Sequence, residues 1–376
     1  MLDEVTRPKV VEGAFDEIFL RRTPLLMGVE PASLCWVLGR IAENREGQTW
    51  ASEFDHFPAL EHAISDAGVG LLKGLKLSNQ GRSQPLEHSL DVFHTIYEGN
   101  RAWRRTESQL WKLNARAGEL QQDLQRRQRR GESLQGKTQP VRIAQQRAEQ
   151  ALQSAIEIET AWREARECLA LFTPEGQLNT SAAARAKLER CLPRLTGALW
   201  AKTVRLLRRP ESLTFLKRIE RKLQELSLSD DLKRDALRFE GLRRWQTLLE
   251  GEDPTTRATR GWWLLAQVRY HRDPEFRDAV SSVCGILRSC WRASSLVEGI
   301  NSVVRMQQAR HRRLTPALID LKRFYWNCRR FRTGQRQKQS PYELLGVTLP
   351  QISWWTLLKM SPAELKQELS TQVLKA

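Results

Sequence analysis

The chain has 376 residues and a formal net charge of +17, from 61 Lys and Arg against 44 Asp and Glu. With 40% hydrophobic residues it can bury the core of one large domain or two ordinary ones, which excludes a disordered or collagen-like protein. No stretch approaches the roughly 20 apolar residues of a membrane span, and the acidic start is unlike a signal peptide, so we expect a cytoplasmic protein without a membrane partner. The six cysteines form no CxxC pair and are expected to be free, buried thiols.

Charge is distributed unevenly along the chain. Residues 1–100 hold 9 Lys and Arg against 15 Asp and Glu, a balance of −6, which leaves 52 against 29, or +23, for residues 101–376. An acidic segment followed by a strongly basic one is expected where a carboxylate-bearing chemical site is joined to surfaces that bind a polyanion.

The first elements predict an α/β sheet. Three short apolar runs with tight connections, at 14–20, 24–29 and 33–41, favour an antiparallel meander. A helix is predicted over 48–57, and 61–66 reads as a fourth strand that can return beside the first. A glycine-containing turn then opens another helix.

From about 101 to 290 the pattern is almost wholly helical. Two heptad-like stretches predict an antiparallel coiled-coil hairpin over about 104–170, because Gly131, Gly136 and Pro140 interrupt the helix between them. Further helices are predicted at 181–192, 195–207, 211–226, 231–249 and 274–290. Three more are predicted to begin at Ser295, Thr315 and Ser340.

Two acids mark a candidate metal site. Asp16 lies in the middle of the first apolar strand, and Asp66 ends the fourth, which the predicted topology places next to it. Adjacent carboxylates repel each other unless a cation lies between them, and oxygen ligands suit a divalent metal. The alternative is that each Asp faces solvent or caps a turn.

A two-metal phosphodiester site needs a third acid, and Glu298 is the best candidate. Helical spacing places Glu298, Asn301 and Arg305 on one face. An equally strong alternative is that Glu298 forms a capping box with Ser295.

Several segments together resemble a known family. They are FDEI at 15–18, LLMGVEP at 25–31, ISDAG at 64–68, SSLVEGINS at 294–302, the segment 321–327 and QSPYELLG at 339–346. In these segments the chain resembles the DDE transposases of insertion sequences, with a ribonuclease-H-like core (mixed sheet, antiparallel first strands) interrupted by a large all-α insertion, as in the hAT group. The resemblance implies that Asp16, Asp66 and Glu298 bind two Mg²⁺ or Mn²⁺ ions and are the catalytic triad. It also implies a core split between residues 1–100 and 291–376, with the insertion at 101–290.

The resemblance adds weaker accessory candidates. Asp91 and His94 fit a C/D-x-x-H signature that follows the second Asp in several such superfamilies, although a surface or half-buried His is the more frequent finding. Arg244 and Trp245 are similar to a basic-Trp pair that hAT-like enzymes place against DNA, although core packing is favoured for one Trp among 13. Only 13 residues precede the first predicted strand, where these transposases usually carry a DNA-binding domain, which implies a truncated product or a partner that recognises the element ends.

The most basic run directly follows Glu298. Residues 305–338 hold eleven Lys and Arg and one acid, Asp320. This excess of positive charge is too large for the ion pairs that a solvated helix ordinarily forms within itself. We predict that this run contacts DNA phosphates. The named candidates are Arg305, Arg310, Arg312, Arg313, Lys322, Arg323, Arg329 and Arg330. The hairpin, with twelve Lys and Arg against four acids over 101–148, is predicted to track DNA or to pair protomers.

The sequence therefore predicts a DDE-type transposase that cleaves DNA and joins strands in a metal-dependent reaction. Its expected partners are element ends, target DNA and further copies of itself, and its expected location is the nucleoid. Two alternatives stay open: an inactive, transposase-derived DNA-binding protein, and a ribonuclease-H-like nuclease without strand transfer.

Overall fold

The computed structural model describes residues 2–292, 295–311, 313–347, 349, 353–361, 363–364 and 367. The chain divides into two compact units. One comprises Met1–Phe93 with Ser289–Ala376, and the other comprises His94–Arg288. In the described part of the chain, no helix is both long and apolar enough to cross a membrane.

The first unit is built on a five-stranded mixed sheet. Its strands are β1 (Glu12–Leu20), β2 (Thr23–Glu30), β3 (Cys35–Ile41), β4 (His62–Ser65) and β5 (Glu87–Leu90). The strand order is β3-β2-β1-β4-β5, with β2 antiparallel to its neighbours β1 and β3, and with β1, β4 and β5 parallel. The predicted meander, and the return of the fourth strand beside the first, are confirmed.

Helices cover both faces of the sheet. In chain order they are α1 (Leu2–Thr6), α2 (Gly47–Phe54), α3 (Val69–Gly81), the start of α4 (Val92–Arg129), α12 (Ser295–Arg310), α13 (Pro316–Cys328), α14 (Pro341–Leu344) and α15 (Trp354–Lys359). Side chains alternate along β1, so that Phe15 packs with Trp50 and Leu71 on one face. On the other face Ile18 packs with Val297. Asp16, two residues from Ile18, shares the face that α12 covers.

The edge strand β3 is closed by a polar side chain from α13. The amide of Asn327 accepts a hydrogen bond from the backbone N–H of Trp36 at 2.8 Å and donates one to its carbonyl at 3.0 Å. Asn327 is therefore buried, whereas Leu321 and Tyr325 are more than one-third exposed. The 3-4-3 spacing of Leu318, Leu321, Tyr325 and Cys328 predicts a core stripe on this helix. That prediction is wrong for Leu321 and Tyr325, because pairing the free edge of β3 decides which face of α13 is buried.

The second unit is helical. It contains most of α4 and seven further helices: α5 (Thr138–Cys168), α6 (Ser181–Cys191), α7 (Ala201–Arg208), α8 (Thr214–Gln224), α9 (Asp230–Arg244), α10 (Pro254–Arg272) and α11 (Pro274–Arg288). Helix α10 was not predicted, and the helix predicted over 195–207 begins only at Ala201.

Helices α4 and α5 pair in antiparallel orientation. The indole N–H of Trp162 donates to Asn100 at 3.1 Å, and the side chains of Gln145 and Gln121 are hydrogen-bonded farther along the same pair. A Cβ at Gly99 would lie 2.1 Å from the Trp162 ring, so glycine permits the close approach. Leu113, predicted to lie in the seam, is 37% exposed instead.

Close backbone packing behind the sheet generates a stability prediction. A Cβ at Gly70, in the first turn of α3, would lie 1.8 Å from the backbone carbonyl oxygen of Arg45. We expect Gly70→Ala to lower the free energy of unfolding by about 1–3 kcal/mol, because the backbone must shift to admit the methyl group. Urea denaturation followed by circular dichroism measures the change.

The matched control is Gly81→Ala at the other end of α3. No atom lies within 4 Å of a Cβ at Gly81, so alanine there should be neutral or raise stability by up to about 1 kcal/mol. Equal effects at the two positions would contradict the packing argument.

Candidate active site

Asp16 is a buried carboxylate near the middle of the sheet. It lies on β1 opposite Met27 of β2, and is 8% exposed. Its Oδ1 accepts a hydrogen bond from the backbone N–H of Glu17 at 2.8 Å, and its Oδ2 accepts one from the side-chain amide of Asn301 at 2.9 Å. Both carboxylate oxygens are thus held in place, although water is largely excluded.

Asp66 follows β4 at the same edge of the sheet. The last parallel pair of β1 and β4 is Phe15 with Ser65, so Asp16 and Asp66 are the next residues along each strand. Asp66 Oδ1 accepts a hydrogen bond from the backbone N–H of Gly68 at 2.8 Å, which fixes the turn into α3. A Cβ at Gly68 would lie 2.9 Å from this oxygen.

A third strand brings another acid to this edge. Sequence reasoning missed β5, because its four residues EHSL carry no apolar alternation. Its parallel pairing with β4 places Asp91 beside the end of that strand, and the Asp91 N–H donates to the Ser65 carbonyl at 2.8 Å. Asp91 is 1% exposed.

Two His–Ser pairs hold β4 and β5 together beneath these acids. The rings of His62 and His88 lie 2.8 Å, through Nε2, from the hydroxyls of Ser89 and Ser65, respectively. The Ser65 hydroxyl also donates to the Asp66 carbonyl at 2.9 Å. The backbone that carries Asp66 is therefore fixed by side chains of both strands.

Helix α12 crosses the sheet beside Asp16. Val297, Ile300 and Val304 are buried against the strands. Helical spacing alone predicts a different apolar face, of Leu296, Ile300 and Val303. Asn301 is completely buried, and its Oδ1 has no hydrogen-bond partner among the described residues. One turn earlier, Glu298 is 38% exposed and its Oε2 lies 3.9 Å from Nη1 of Arg305.

The electrostatics of Asp16 connect these acids. Burial first, and repulsion from Asp66 and Glu298 in addition, raise the pKa of Asp16 from its ordinary value of 3.8 to about 6, against the hydrogen bonds from Glu17 and Asn301, which lower it. The three acids predicted as a triad are thus close enough for their charges to interact.

The described acids do not form a ready metal cage. No group of three His, Cys, Asp or Glu side chains within the described ranges is arranged to hold a metal ion. The capping box that was the alternative for Glu298 involves the Ser295 side chain, which lies outside the described atoms. The described partner of Glu298 is Arg305.

The predicted basic residues divide into exposed and internal groups. Arg305, Arg310, Arg313, Arg329 and Arg330 are exposed, and Lys322 is half-buried. Arg330 lies 2.6 Å from Glu343.

Two members of that predicted set stand apart. Arg312 lies outside the described residues. Arg323 is not on the exposed surface: its side chain is 13% exposed and donates to Asp3 at 2.8 Å, because the side chain fills the space between α1 and α13. Burial lowers the pKa of Arg323, but the charge and the hydrogen bond of Asp3, with smaller effects of Tyr342 and Asp320, together raise it above its ordinary value.

Three of the accessory candidates, Arg244, Trp245 and His94, lie in the helical unit. Arg244 donates to the buried Glu240 at 2.9 Å and lies 5.2 Å from the ring centre of Phe172, so its guanidinium serves packing. Trp245 follows the end of α9 and is 40% exposed. His94 is half-buried near the start of α4.

All six cysteines are free: Cys35, Cys168, Cys191 and Cys284 are buried, and Cys290 and Cys328 are half-buried.

Comparison with known proteins gives no match to this chain, whether among family models, curated proteins or solved structures.

The raised pKa of Asp16 predicts a pH-dependent stability. Between about pH 4 and 6 the folded state binds more protons than the unfolded chain, so Asp16 contributes stability below pH 4 that is lost as pH rises through 6. We expect Asp16→Asn to remove this loss, so that its free energy of unfolding exceeds that of the wild type by up to about 3 kcal/mol at pH 8. Urea denaturation from pH 4 to 8 in chelator measures the difference.

Two variants test the cause of this behaviour. Asp278→Asn removes an exposed carboxylate from the helical unit and should leave the pH profile unchanged. Asn301→Ala removes a donor that lowers the pKa of Asp16, so the loss of stability should begin near pH 4, as in the wild type, and extend to higher pH. A profile for Asp16→Asn that runs parallel to the wild type would show that Asp16 titrates normally.

Proposed function

We propose that this chain is the catalytic chain of a DDE-type transposase, with Asp16, Asp66 and Glu298 as its catalytic carboxylates. The observation that carries the proposal is the position of Asp16: it is buried beside the end of β4, and the charges of both other acids raise its pKa. A folded protein keeps such mutually repelling acids together at a cost in stability, which favours a functional role. The role proposed here is the one that the resemblance in sequence implies.

The order of the strands supports this proposal. Strands β1, β4 and β5 are parallel. Asp66 and Asp91 directly follow the carboxyl ends of β4 and β5, and Asp16, in the middle of the longer β1, lies level with Asp66. Helix α12, more than 200 residues later in the chain, returns to the same sheet and brings Asn301 to Asp16. A split core with a helical insertion between its parts has the organisation that the resemblance implies.

Divalent cations fit the donor chemistry of this site. Asp16 and Asp66 offer hard carboxylate oxygens, and a cation beside Asp16 would reverse the repulsion that raises its pKa. When bound, two Mg²⁺ or Mn²⁺ ions supply charge stabilisation for the attacking and leaving oxygens of a phosphodiester. Glu298 is the third donor. Arg305, which pairs with it, competes with the metal ion for its carboxylate.

The chain's own residues orient the carboxylates. Asn301 and the Glu17 N–H hold the two oxygens of Asp16, while the Gly68 N–H holds one oxygen of Asp66. The unpaired Oδ1 of Asn301 leaves one acceptor for a water molecule or a substrate hydroxyl. The exposed arginines that follow Glu298 would bind phosphates of DNA, and the basic hairpin would contact DNA or a second copy of the chain.

A plasmid assay tests the proposed chemistry. We expect wild type to nick supercoiled plasmid in Mg²⁺ or Mn²⁺ and to join a labelled duplex with a free 3′-hydroxyl to it. Asp16→Asn, Asp66→Asn and Glu298→Gln should each lower both rates more than about 100-fold, because each removes a ligand donor. Gel electrophoresis measures nicked and joined products.

Glu17→Gln is the matched control. Glu17 is adjacent to Asp16, faces the other side of the sheet and pairs with Arg45, so its loss should leave both rates near wild type. Nicking without joined product would favour a nuclease. Binding of DNA without metal-dependent cleavage, unchanged by the three substitutions, would favour the inactive DNA-binding protein.

Metal binding can be tested without catalysis. If Mn²⁺ binds the folded wild type, it should raise the free energy of unfolding by about 2.7 kcal/mol at a concentration 100 times its dissociation constant. Asp16→Asn and Asp66→Asn should abolish this gain, and Glu17→Gln should keep it. The gain should increase as pH rises through 6, because Asp16 binds metal only when ionised. Equal stabilisation of all four proteins would place the ion elsewhere.

A further inference from the structure

A second site, which is cationic, lies in the sheet unit away from the acids. A cavity of about 660 Å³ opens between the β1–β2 turn and the connection from α12 to α13. Its lining includes Arg21 and Arg22 from the turn and His311 and Arg313 from the connection, with Ile41 and Leu314 as apolar walls. We call this cavity the cationic pocket.

The cations of this pocket lack acidic partners. Its lining contains no Asp or Glu, and Arg21, Arg22 and Arg313 form no ion pair with any described carboxylate. Arginines elsewhere in the chain do pair with acids, such as Arg194 with Glu164 at 2.8 Å. Unpaired guanidinium groups around one cavity repel each other and offer planar hydrogen-bond donors, which suits a phosphate.

Backbone conformation supports a role for the charge of Arg21. Leu20 pairs with Thr23, so Arg21 and Arg22 form a two-residue hairpin turn, and Arg21 has a φ of 62°. Glycine or asparagine is favoured at such a position, and another residue there costs roughly 1 kcal/mol or more. The backbone of Arg21 is therefore locally strained, and strained residues of this kind cluster at functional sites.

We propose that the cationic pocket binds a backbone phosphate of the DNA strand on which the acids act. The assignment of that strand rests on the proposed function. The ligand chemistry, a phosphate group beside an apolar sugar, follows from the lining of the pocket itself.

The pocket lies on the side of Asp16 toward which β1 runs. Strand β1 ends at Leu20, and Arg21 in the following turn is five residues beyond Asp16, or about 17 Å of extended chain. Helix α12 runs in the same direction, because Asn301 contacts Asp16 while Gln308 lines the pocket. Successive phosphates of one DNA strand advance about 3.4 Å along the duplex and also wind around it, so the bound phosphate would lie within about five nucleotides of the reacting one.

The experiment measures DNA binding by the full-length protein without cleavage. Fluorescence anisotropy of a labelled 30-base-pair duplex in chelator, over 50–200 mM KCl, gives the affinity and its salt dependence. We expect Arg22→Gln with Arg313→Gln to weaken binding about tenfold and to reduce the salt slope by about 1, as for one lost phosphate contact. Arg22→Lys with Arg313→Lys should retain most of the slope, because the charge is kept.

The matched control removes two exposed lysines from α3, on the other face of the sheet. Lys73→Gln with Lys76→Gln should change the slope much less than the pocket pair does, because these side chains lie away from the acids. Equal changes in the two double variants, or no binding of duplex by wild type, would overturn the proposal. Circular dichroism and the unfolding midpoint verify that each variant is folded.

Two further measurements separate the sources of phosphate and the two proposals. If inorganic phosphate raises the unfolding midpoint through Arg22 and Arg313 while the duplex slope is unaffected, the pocket binds small phosphates and the strand assignment is overturned. Asp16→Asn should bind duplex as tightly as wild type. Pocket-dependent binding by a protein that never cleaves would refute the proposed transposase and leave the pocket's ligand standing.

Discussion

The structure of the sheet unit depends on one unfavourable interaction, the burial of the Asp16 carboxylate among other acids. A buried, ionised carboxylate is stable only when hydrogen bonds or a cation compensate for lost water. Here Asn301 and the Glu17 N–H compensate in part, and the pKa still rises to about 6. The fold around Asp16 is therefore organised to tolerate an acid and to restrict its partners.

That constraint explains how distant parts of the chain are joined. Asn301 lies 285 residues after Asp16, and its amide donates directly to that acid. Val297 and Ile300 pack α12 onto the sheet around the same point. The apolar contacts hold the helix on the sheet, while the polar contact requires one register of the helix on the strands, since a shift by one residue would leave the Asn301 amide and Oδ2 of Asp16 without this hydrogen bond.

How much of this could be predicted from sequence differs between elements. The meander and the fourth strand were predictable, because apolar runs bounded by turns have a strong local signal. Strand β5 and the burial of Asn327 were not, because EHSL gains its pairing only from β4 and Asn327 gains its burial only from the edge of β3. The proximity of Asp16 and Asp66 followed from topology, whereas the pairing of Glu298 with Arg305 and the internal position of Arg323 depend on side-chain contacts that spacing does not determine.

The two charged sites of the sheet unit carry uncompensated charge of opposite sign. At the carboxyl edge of the sheet, acids repel each other around Asp16 and would gain from a cation. Beyond the carboxyl end of β1, Arg21 and Arg22, with Arg313 from the α12–α13 connection, form no ion pair with described acids and would gain from an anion. Helix α12 contacts Asp16 through Asn301 and lines the cationic pocket through Gln308, so the stretch of helix between these residues connects the two sites. A polyanion with bound cations would neutralise both at once, and DNA with divalent metal is such a ligand.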